Sequence, residues 1–245
     1  ISTNAGRGSR MSARYRFTHP AGILALCLLA FALAGCAPTQ VRQKEGHHEA
    51  QESVSVLLMP IDIELSALTA GGIKEVRADW TETAKGLISD TLRKQLANYD
   101  DKLIEYVEPK DLEELQQHAQ IIKLHGVVGQ TIMVYSALPA AVPPTKKDVF
   151  DWSLGEEVTR LRDASGADYG LFIYIRDSYA TAGRKALIVT SALLGVNVMA
   201  GTQAGFATLV DLRDGSVVWF NRIANQSGDL RTKGPAYSTV EELIE

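Results

Sequence analysis

Charged and hydroxyl side chains are concentrated in the sequence RDSYATAGRK, residues 176–185. Arg176 and Asp177 begin this segment, Arg184 lies near its end, and a serine and a tyrosine between them add hydroxyl groups. The segment follows an apolar run typical of a central strand, and strand ends in α/β sheets often bind ligands. One hypothesis is therefore a small-ligand-binding protein or hydrolase with a pocket near Asp177 and Arg184. The alternative is a charged loop held by an ion pair.

The histidines offer no comparable grouping. His118 and His125 are seven residues apart, which separates them by about 10 Å along a helix axis, whereas each ligand of one Zn²⁺ must reach to about 2 Å. His47 and His48 lie in a polar stretch, and we expect all four side chains to be solvated or flanking. No Ser-His-Asp grouping, nucleophile elbow or P-loop is present. The sequence therefore predicts no metal, no cofactor and no enzymatic activity.

The amino-terminal part of the chain offers a cysteine at the end of an apolar run. Residues 1–10 precede Met11 and are interpreted as upstream sequence. From Met11, two arginines precede the apolar stretch 21–33, which at about 13 residues is too short for a transmembrane helix of roughly 20. Leu33-Ala34-Gly35-Cys36 completes the stretch. The alternatives are an ordinary signal peptide, or a membrane span, with an incidental cysteine.

Leu-Ala-Gly-Cys resembles the lipobox of bacterial lipoproteins at all four positions. The resemblance implies cleavage between Gly35 and Cys36, a diacylglyceryl group on the Cys36 sulfur and an acylated amino terminus. Several acyl chains give a durable membrane anchor. Because Ala37 rather than Asp follows the cysteine, the resemblance implies the periplasmic face of the outer membrane. The expected signal peptide is 11–35.

Removal of the signal peptide changes the charge of the chain and its cysteine content. Residues 1–35 contain four arginines and no acidic residue, so 25 basic residues become 21 against 29 acidic ones, and the net charge falls from −4 to about −8. An acidic chain without a basic cluster argues against nucleic acid as a partner. The other cysteine, Cys27, lies in the removed part, so the mature chain has no disulfide framework.

Apolar periodicity predicts an α/β fold, in which helices pack on a mixed β-sheet. We expect residues 36–53 to form a flexible tether and residues 54–245 to form a single domain. The predicted elements are strand 53–63, an extended piece 73–77, helix 80–98, strand 102–107, a helix from 112, helix 154–164, strand 167–176, a late hairpin and helix 236–245.

Local signals predict how some of these elements end. They are a helix cap at Asp79, a capping box formed by Ser153 and Glu156, and a two-residue type I′ turn at Asp214-Gly215. Gly126 and Gly129 interrupt the helix that starts at 112. They leave open whether the helix ends there and a strand begins.

The segments SLGEEVTRLRDASGADYGLFIYIRDS and GFATLVDLRDGSVVWFN resemble a group of periplasmic lipoproteins. This group shares a domain like the amino-terminal domain of TolB, which also occurs in the curli secretion lipoprotein CsgG and in PelC. The matching features are a helix before Gly166-Ala167-Asp168-Tyr169, then Leu209-Val210-Asp211-Leu212, a turn at Gly215, and Val218-Trp219. The resemblance implies a TolB amino-terminal/CsgG-like fold and supplies no catalytic residues.

The stretch Ala186–Val210 contains no charged residue. We expect a buried or interface helix to about Leu194, followed by a core strand. The alternatives are contact with an oligomer partner or membrane, or a true membrane span. Trp80, Trp152 and Trp219 are expected in core or rim packing, and the alternative for them is an exposed docking surface.

Together, these patterns favour an outer-membrane-anchored periplasmic lipoprotein. Its expected function is that of a non-enzymatic assembly or interaction module in envelope biogenesis or secretion. The expected partners are the lipid bilayer, through acylated Cys36, and other envelope proteins, including further copies of the same chain. Asp177, Arg184 and Trp219 are the candidate ligand or interface residues.

Overall fold

The long strand β6 (Tyr169–Ala180) lies at the centre of the fold, and its first five residues are all buried. The computed structural model describes residues 40–43, 54–97, 102–147, 149–225 and 228–244. These residues all belong to one compact unit, which spans Thr39–Glu245. The lipobox and the His47-His48 pair lie outside the described residues.

Eight strands form one mixed sheet in the described part of the chain. Besides β6, they are β1 (Gln40–Gln43), β2 (Ser55–Leu58), β3 (Asp62–Leu68), β4 (Lys74–Val76), β5 (Lys102–Glu105), β7 (Gly201–Asp211) and β8 (Val217–Asn225). The α-helices are α1 (Ala78–Leu96), α2 (Leu112–Ala137), α3 (Thr159–Ser165), α4 (Ala182–Leu193) and α5 (Lys233–Ile244). The predicted α/β class with a mixed sheet is confirmed.

The strands lie in the order β1-β8-β7-β6-β2-β5. β2 and β3 follow one another along the same edge of β6, and both are parallel to it. Leu58 lies opposite Leu171 and Asp62 lies opposite Tyr174, so this edge has one extra residue between the two strands. Pro60 occupies the break, where its missing N–H is tolerated. The predicted strand 53–63 is therefore divided between β2 and β3, on either side of Pro60.

Helices cover both faces of the sheet and create two apolar cores. α2 and α3 cover one face, whose core includes Phe172, Phe206, Phe220, Ile121 and Leu161. α1 and α5 cover the other face, whose core includes Ile173, Ile175, Ile88, Leu92 and Val240. Alternation along β6 sends successive side chains to opposite faces, which explains why its middle is apolar on both sides.

The helix α2 is longer than the glycines in its sequence suggest. It begins at Asp111, whose carboxylate accepts a hydrogen bond from the N–H of Glu114 at 2.9 Å, and it continues through Gly126 and Gly129. A Cβ atom at residue 129 would overlap the ring of Phe206, so this glycine lets the helix approach the sheet closely. The alternative of a strand after these glycines is wrong.

Two predicted helix caps are wrong, although both helices are present. α1 has no side-chain cap, and Asp79 lies in its first turn, where it binds Arg77. Ser153 Oγ accepts a hydrogen bond from the N–H of Gly155 at 2.9 Å, in the chain before the helical turn at Glu156–Val158. In both cases a nearer partner competes for the polar side chain.

The predicted hairpin of β7 and β8 is confirmed, but its turn is not of the predicted type. The N–H of Gly215 donates to the carbonyl of Asp211 at 2.9 Å, and the N–H of Asp211 donates to the carbonyl of Ser216 at 2.9 Å. The connection therefore has five residues. Gly215 has a φ of 77°, the left-handed conformation that glycine adopts without strain.

Part of the expected tether is a strand instead. Gln40–Gln43 forms β1 and pairs antiparallel with β8, with Gln40 opposite Arg222. Since Asn225 of β8 pairs with Gln203 of β7, β1 starts from the end of the sheet where β7 begins.

Candidate functional site

A cavity of about 550 Å³ opens beside the carboxyl end of β6. β6 and the beginning of β7 form its floor. The first residues of α1 and α4 and the segment before α5 form its walls. This is the end of the central strand at which the sequence predicts a ligand pocket.

Three side chains on the floor form a hydrogen-bonded cluster. The Tyr179 hydroxyl donates to Asp177 Oδ2 at 2.6 Å, and Gln203 Nε2 donates to the same oxygen at 3.1 Å. Tyr179 Oη accepts the N–H of Leu230 at 2.7 Å. Asp177 and Tyr179 share a face of β6 because they are two residues apart, and Gln203 lies directly opposite Asp177 in the register.

Burial gives the carboxyl group of Asp177 unusual acid–base behaviour. Loss of hydration raises the pKa of this carboxyl to about 6, although hydrogen bonds from Tyr179 and Gln203 oppose the shift. Asp177 is 5% exposed, and none of the ion pairs among the described residues includes it. Burial also raises the pKa of the Tyr179 phenol, which therefore remains a hydrogen-bond donor.

Trp80 and two guanidinium groups form a wall of the cavity. Arg231 lies 4.1 Å and Arg77 4.6 Å from the centre of the Trp80 ring, distances typical of cation–π contacts. Each arginine also binds a carboxylate, Arg231 that of Asp229 at 2.6 Å and Arg77 that of Asp79 at 2.9 Å. The charges of both arginines are therefore largely balanced.

The predicted charged loop 176–185 is a strand as far as Ala180, so its charged residues separate. Arg176 points to the opposite face and binds Asp62 at 2.7 Å. Arg184 donates to the carbonyl oxygens of Met199 at 3.0 Å and of Ala70 at 3.4 Å. Neither arginine forms an ion pair with Asp177. The hydrogen bonds of Arg184 instead connect the first turn of α4 to the segments at Ala70 and Met199.

His118 and His125 are buried on α2, whereas the sequence led us to expect solvated or flanking side chains. The ring of His125 stacks on Phe172 at 4.8 Å and also contacts Phe206. His118 Nδ1 lies 3.1 Å from the hydroxyl of Tyr106. Among the described residues, no group of three or more potential metal ligands is present.

The tryptophans are half-buried at the rims of the cores, as predicted. Trp219 packs against the core on the α1 and α5 face, and Trp152 packs against the core on the opposite face. Lys146 lies 5.0 Å from the centre of the Trp152 ring. Trp219 does not line the cavity that contains Asp177 and Tyr179.

An exposed segment, here called the apolar arm (residues 186–200), connects the cavity region to β7. No residue of α4 is buried, so of the expected buried or interface helix the buried form is wrong and the interface form stays a prediction. The core strand that follows is confirmed as β7. The large exposed apolar residues of the arm are Leu187, Val189, Leu193, Leu194, Val196 and Met199. Across the described residues, no helix has both the length and the apolar character needed to cross a membrane.

The sequence indicates Asp177 and Tyr179 as neighbours in this region, but it does not indicate that Gln203, Trp80 and Arg231 join them. Gln203 has no charge and lies in an apolar run, and only the register of β6 and β7 places it beside Asp177. Trp80 lies in the first turn of α1 and Arg231 just before α5, both far from Asp177 in sequence. The available signal for Arg231 was the sequence Gly228-Asp229-Leu230-Arg231, in which a glycine and two opposite charges precede a helix.

No protein-family model matches the chain, and no curated protein matches it. Among solved structures, it is similar to the PelC dodecamer from Paraburkholderia phytofirmans, at 10% identity and a TM-score of 0.35 over 84% of this chain and 98% of that one. It is similar to lipoprotein GNA1162 from Neisseria meningitidis, at 14% identity and a TM-score of 0.29 over 78% and 93% of the chains. The LpoB C-terminal domain from Salmonella enterica has 16% identity and a TM-score of 0.26 over 73% and 87%.

Proposed function

We propose that the protein is a lipid-anchored, non-enzymatic interaction module on the periplasmic face of the bacterial outer membrane. In this proposal acylated Cys36 is the anchor, and the module assembles with other envelope proteins in envelope biogenesis or secretion. The apolar arm is the observation that supports this function.

The apolar arm exposes side chains that gain free energy when a partner covers them. Leu193 and Leu194 are each 82% exposed, and contiguous exposed apolar surface is typical of interaction sites. Full burial of one leucine side chain is worth about 1.5–3 kcal/mol. Burial of these two residues would therefore favour a contact, against the cost of ordering the two partners.

The backbone of the arm favours a protein partner over the interior of a lipid bilayer. Residues 196–200 lie outside helices and strands. Hydrocarbon cannot hydrogen-bond the N–H and C=O groups of such a segment, whereas a protein surface can.

The position of β1 supports a partner in the same membrane. Cys36 precedes Gln40 by four residues, and four residues of extended chain span at most about 14 Å. Because Gln40, the first residue of β1, lies towards the end of the sheet where β7 begins, this proposal holds the apolar arm close to the membrane surface.

The experiment compares crosslinked partners of the tagged full chain in cells. The arm variant carries Leu193→Asp and Leu194→Asp. The matched control carries Val107→Asp and Leu112→Asp, because these apolar residues are also highly exposed, at 81% and 73%. We expect envelope proteins to copurify with the unchanged chain and the control, and to be lost from the arm variant. Identical partner sets for all three proteins would contradict a role for the arm.

Light scattering of the detergent-solubilised full chain tests whether the partner is a second copy. A mass above that of one chain, which the arm variant reduces to the monomer, supports self-assembly. A strict monomer that also retains no envelope protein would overturn the proposed function.

A further inference from the structure

We infer that the cavity beside β6 binds a small zwitterion, with its primary ammonium group on Asp177 and Gln203 and its anionic group towards Lys185. This inference goes beyond the proposed interaction function and does not depend on it. It is based on the hydrogen-bonding groups that the protein leaves unused around the cavity.

The hydrogen-bonded cluster on the floor directs donors to Asp177 and leaves an acceptor oxygen of Gln203 without a partner. The hydroxyl proton of Tyr179 and an amide proton of Gln203 both point to Asp177 Oδ2. The hydroxyl oxygen of Tyr179 already accepts the N–H of Leu230. A hydrogen-bond donor on a ligand would therefore find an unused acceptor at this floor.

Gln203 provides an acceptor without a partner. Its amide orientation is fixed, because a carboxylate that accepts hydrogen bonds must face Nε2. Gln203 is 3% exposed, and its Oε1 atom has no hydrogen-bond partner. Buried polar atoms are normally paired in folded proteins, so this oxygen points to a donor that is supplied from outside the chain.

The unpaired carboxylate of Asp177 also favours a hydrogen-bond donor, and one with a positive charge. Asp177 is buried without an ion-pair partner among the described residues, while the arginines of the wall are paired with Asp229 and Asp79. A cationic donor would replace the lost hydration of the carboxylate. An ammonium group provides three N–H donors and one positive charge, which suits both Asp177 and the Oε1 atom of Gln203.

Lys185 determines the second half of the ligand. It lines the cavity, its side chain is exposed, and it takes part in no ion pair within the described ranges. A carboxylate or phosphate group on the ligand would be attracted to it. The expected class is therefore compounds with an ammonium and an anionic group on one short chain, such as amino acids.

Calorimetry on the detergent-solubilised full chain tests this inference with three probes of equal chain length. These probes are butylamine, butyrate and 4-aminobutyrate. We expect 4-aminobutyrate to bind most tightly, butylamine to bind more weakly, and butyrate not to bind. Binding of butyrate as tight as that of butylamine, or no binding by any probe, would overturn the inference.

Single variants assign the contacts. Asp177→Asn is expected to weaken both amines at least tenfold, and Gln203→Met at least threefold. Lys185→Gln is expected to weaken 4-aminobutyrate and leave butylamine unchanged, and Asp163→Asn on α3 is the matched control without effect. Amine affinities that none of the cavity variants changes would overturn the assignment, and an equal effect of Lys185→Gln on both amines would overturn the zwitterion.

Proton release gives a readout that loss of folding cannot imitate. At pH 6 about half of the Asp177 carboxyls are protonated, so binding of an ammonium group should release about half a proton per site. Tyr179, Asp229, Arg231, Arg77 and Lys185 are the titratable groups that face Asp177 around the cavity. Calorimetry in buffers of different ionisation enthalpy measures this release. The same release from the Gln203→Met variant supports Asp177 as its source, and binding without release contradicts it.

Discussion

The two faces of the sheet each bury a titratable side chain, and the two have opposite effects on stability. On the α2 face, His125 is enclosed by aromatic rings, and burial lowers its pKa to about 3. On the α1 face, Asp177 lies at a cavity, and burial raises its pKa to about 6. Both shifts favour the neutral form of the side chain in the folded protein. Acidification protonates histidine to its charged form, which burial disfavours, but protonates aspartate to its neutral form, which burial favours.

The difference shows that a buried polar side chain has a different role in the closed core on the α2 face than beside the cavity on the α1 face. His125 is 2% exposed and packs as a flat aromatic group between Phe172 and Phe206. Asp177 retains hydrogen-bonding partners and an opening to solvent beside it. The first arrangement serves packing, and the second leaves chemistry accessible to a ligand.

The largest expected effect tests how closed the α2 face is. Gly129→Ala would push a methyl group into the ring of Phe206, which stacks on Tyr174 and Phe220 and cannot move aside. We expect a loss of about 3 kcal/mol in the free energy of unfolding, measured by chemical denaturation. Gly86→Ala on α1 meets nothing within 4 Å and should instead stabilise by about 0.5–1 kcal/mol. Equal effects of both changes would contradict close packing at residue 129.

The next largest effect is the contribution of His125 to the pH dependence of stability. The pKa of His125 is about 6.5 in the unfolded chain and about 3 in the folded one, so its contribution to stability is present above pH 6.5 and is lost as the pH falls towards 3. His125→Leu should gain about 2.5 kcal/mol relative to the unchanged protein between pH 7 and pH 4.5. Urea unfolding at both pH values measures this difference. A constant difference would show that His125 is solvated.

The corresponding change on the cavity face has the opposite sign. The pKa of Asp177 rises from 3.8 to about 6 on folding, so the folded protein gains stability from this group as the pH falls from 6 to 4. Asp177→Asn removes this gain and should lose about 2 kcal/mol relative to the unchanged protein between pH 7 and pH 4.5. The double variant with His125→Leu should show nearly compensating shifts, and a double variant that retains either single slope would contradict independent faces.

The smallest expected effect concerns the apolar arm, which belongs to neither core. Leu193→Asp with Leu194→Asp should change the free energy of unfolding by less than about 0.5 kcal/mol, because surface changes without packing are nearly neutral. Leu92→Ala, in the buried stripe of α1, should cost about 3 kcal/mol. Thermal unfolding of the monomeric protein provides the comparison. A large effect of the arm variant would show that the arm packs on the body.

The elements that periodicity predicts well are those with one buried and one exposed side. α1 and the central strand were predicted within a few residues, because their apolar spacing reflects a simple boundary with water. α4 has the same composition as a buried helix but is exposed. Its sequence carries no information about whether a partner covers it.

Errors occurred where tertiary contact decided the local structure. Gly129 was interpreted as a possible helix end because glycine is a weak helix former. The close approach to Phe206, 77 positions later, makes glycine necessary inside the helix. At the cavity, Asp177 was predictable from its position at a strand end, while Gln203 depended on a strand register that the sequence alone does not reveal.

The pairing of β2 and β3 with β6 also determines when the protein can fold. Asp168 and Ser55, which bond at the junction of β2 and β6, are 113 residues apart in sequence. During synthesis the edges of β2 and β3 that pair with β6 therefore stay unpaired until most of the chain has been made. Closing such long loops slows folding. β6 and its neighbour β7 arrive almost together and can pair at once. We therefore expect folding to begin at the carboxyl-terminal hairpin and to close with the strands that were made first.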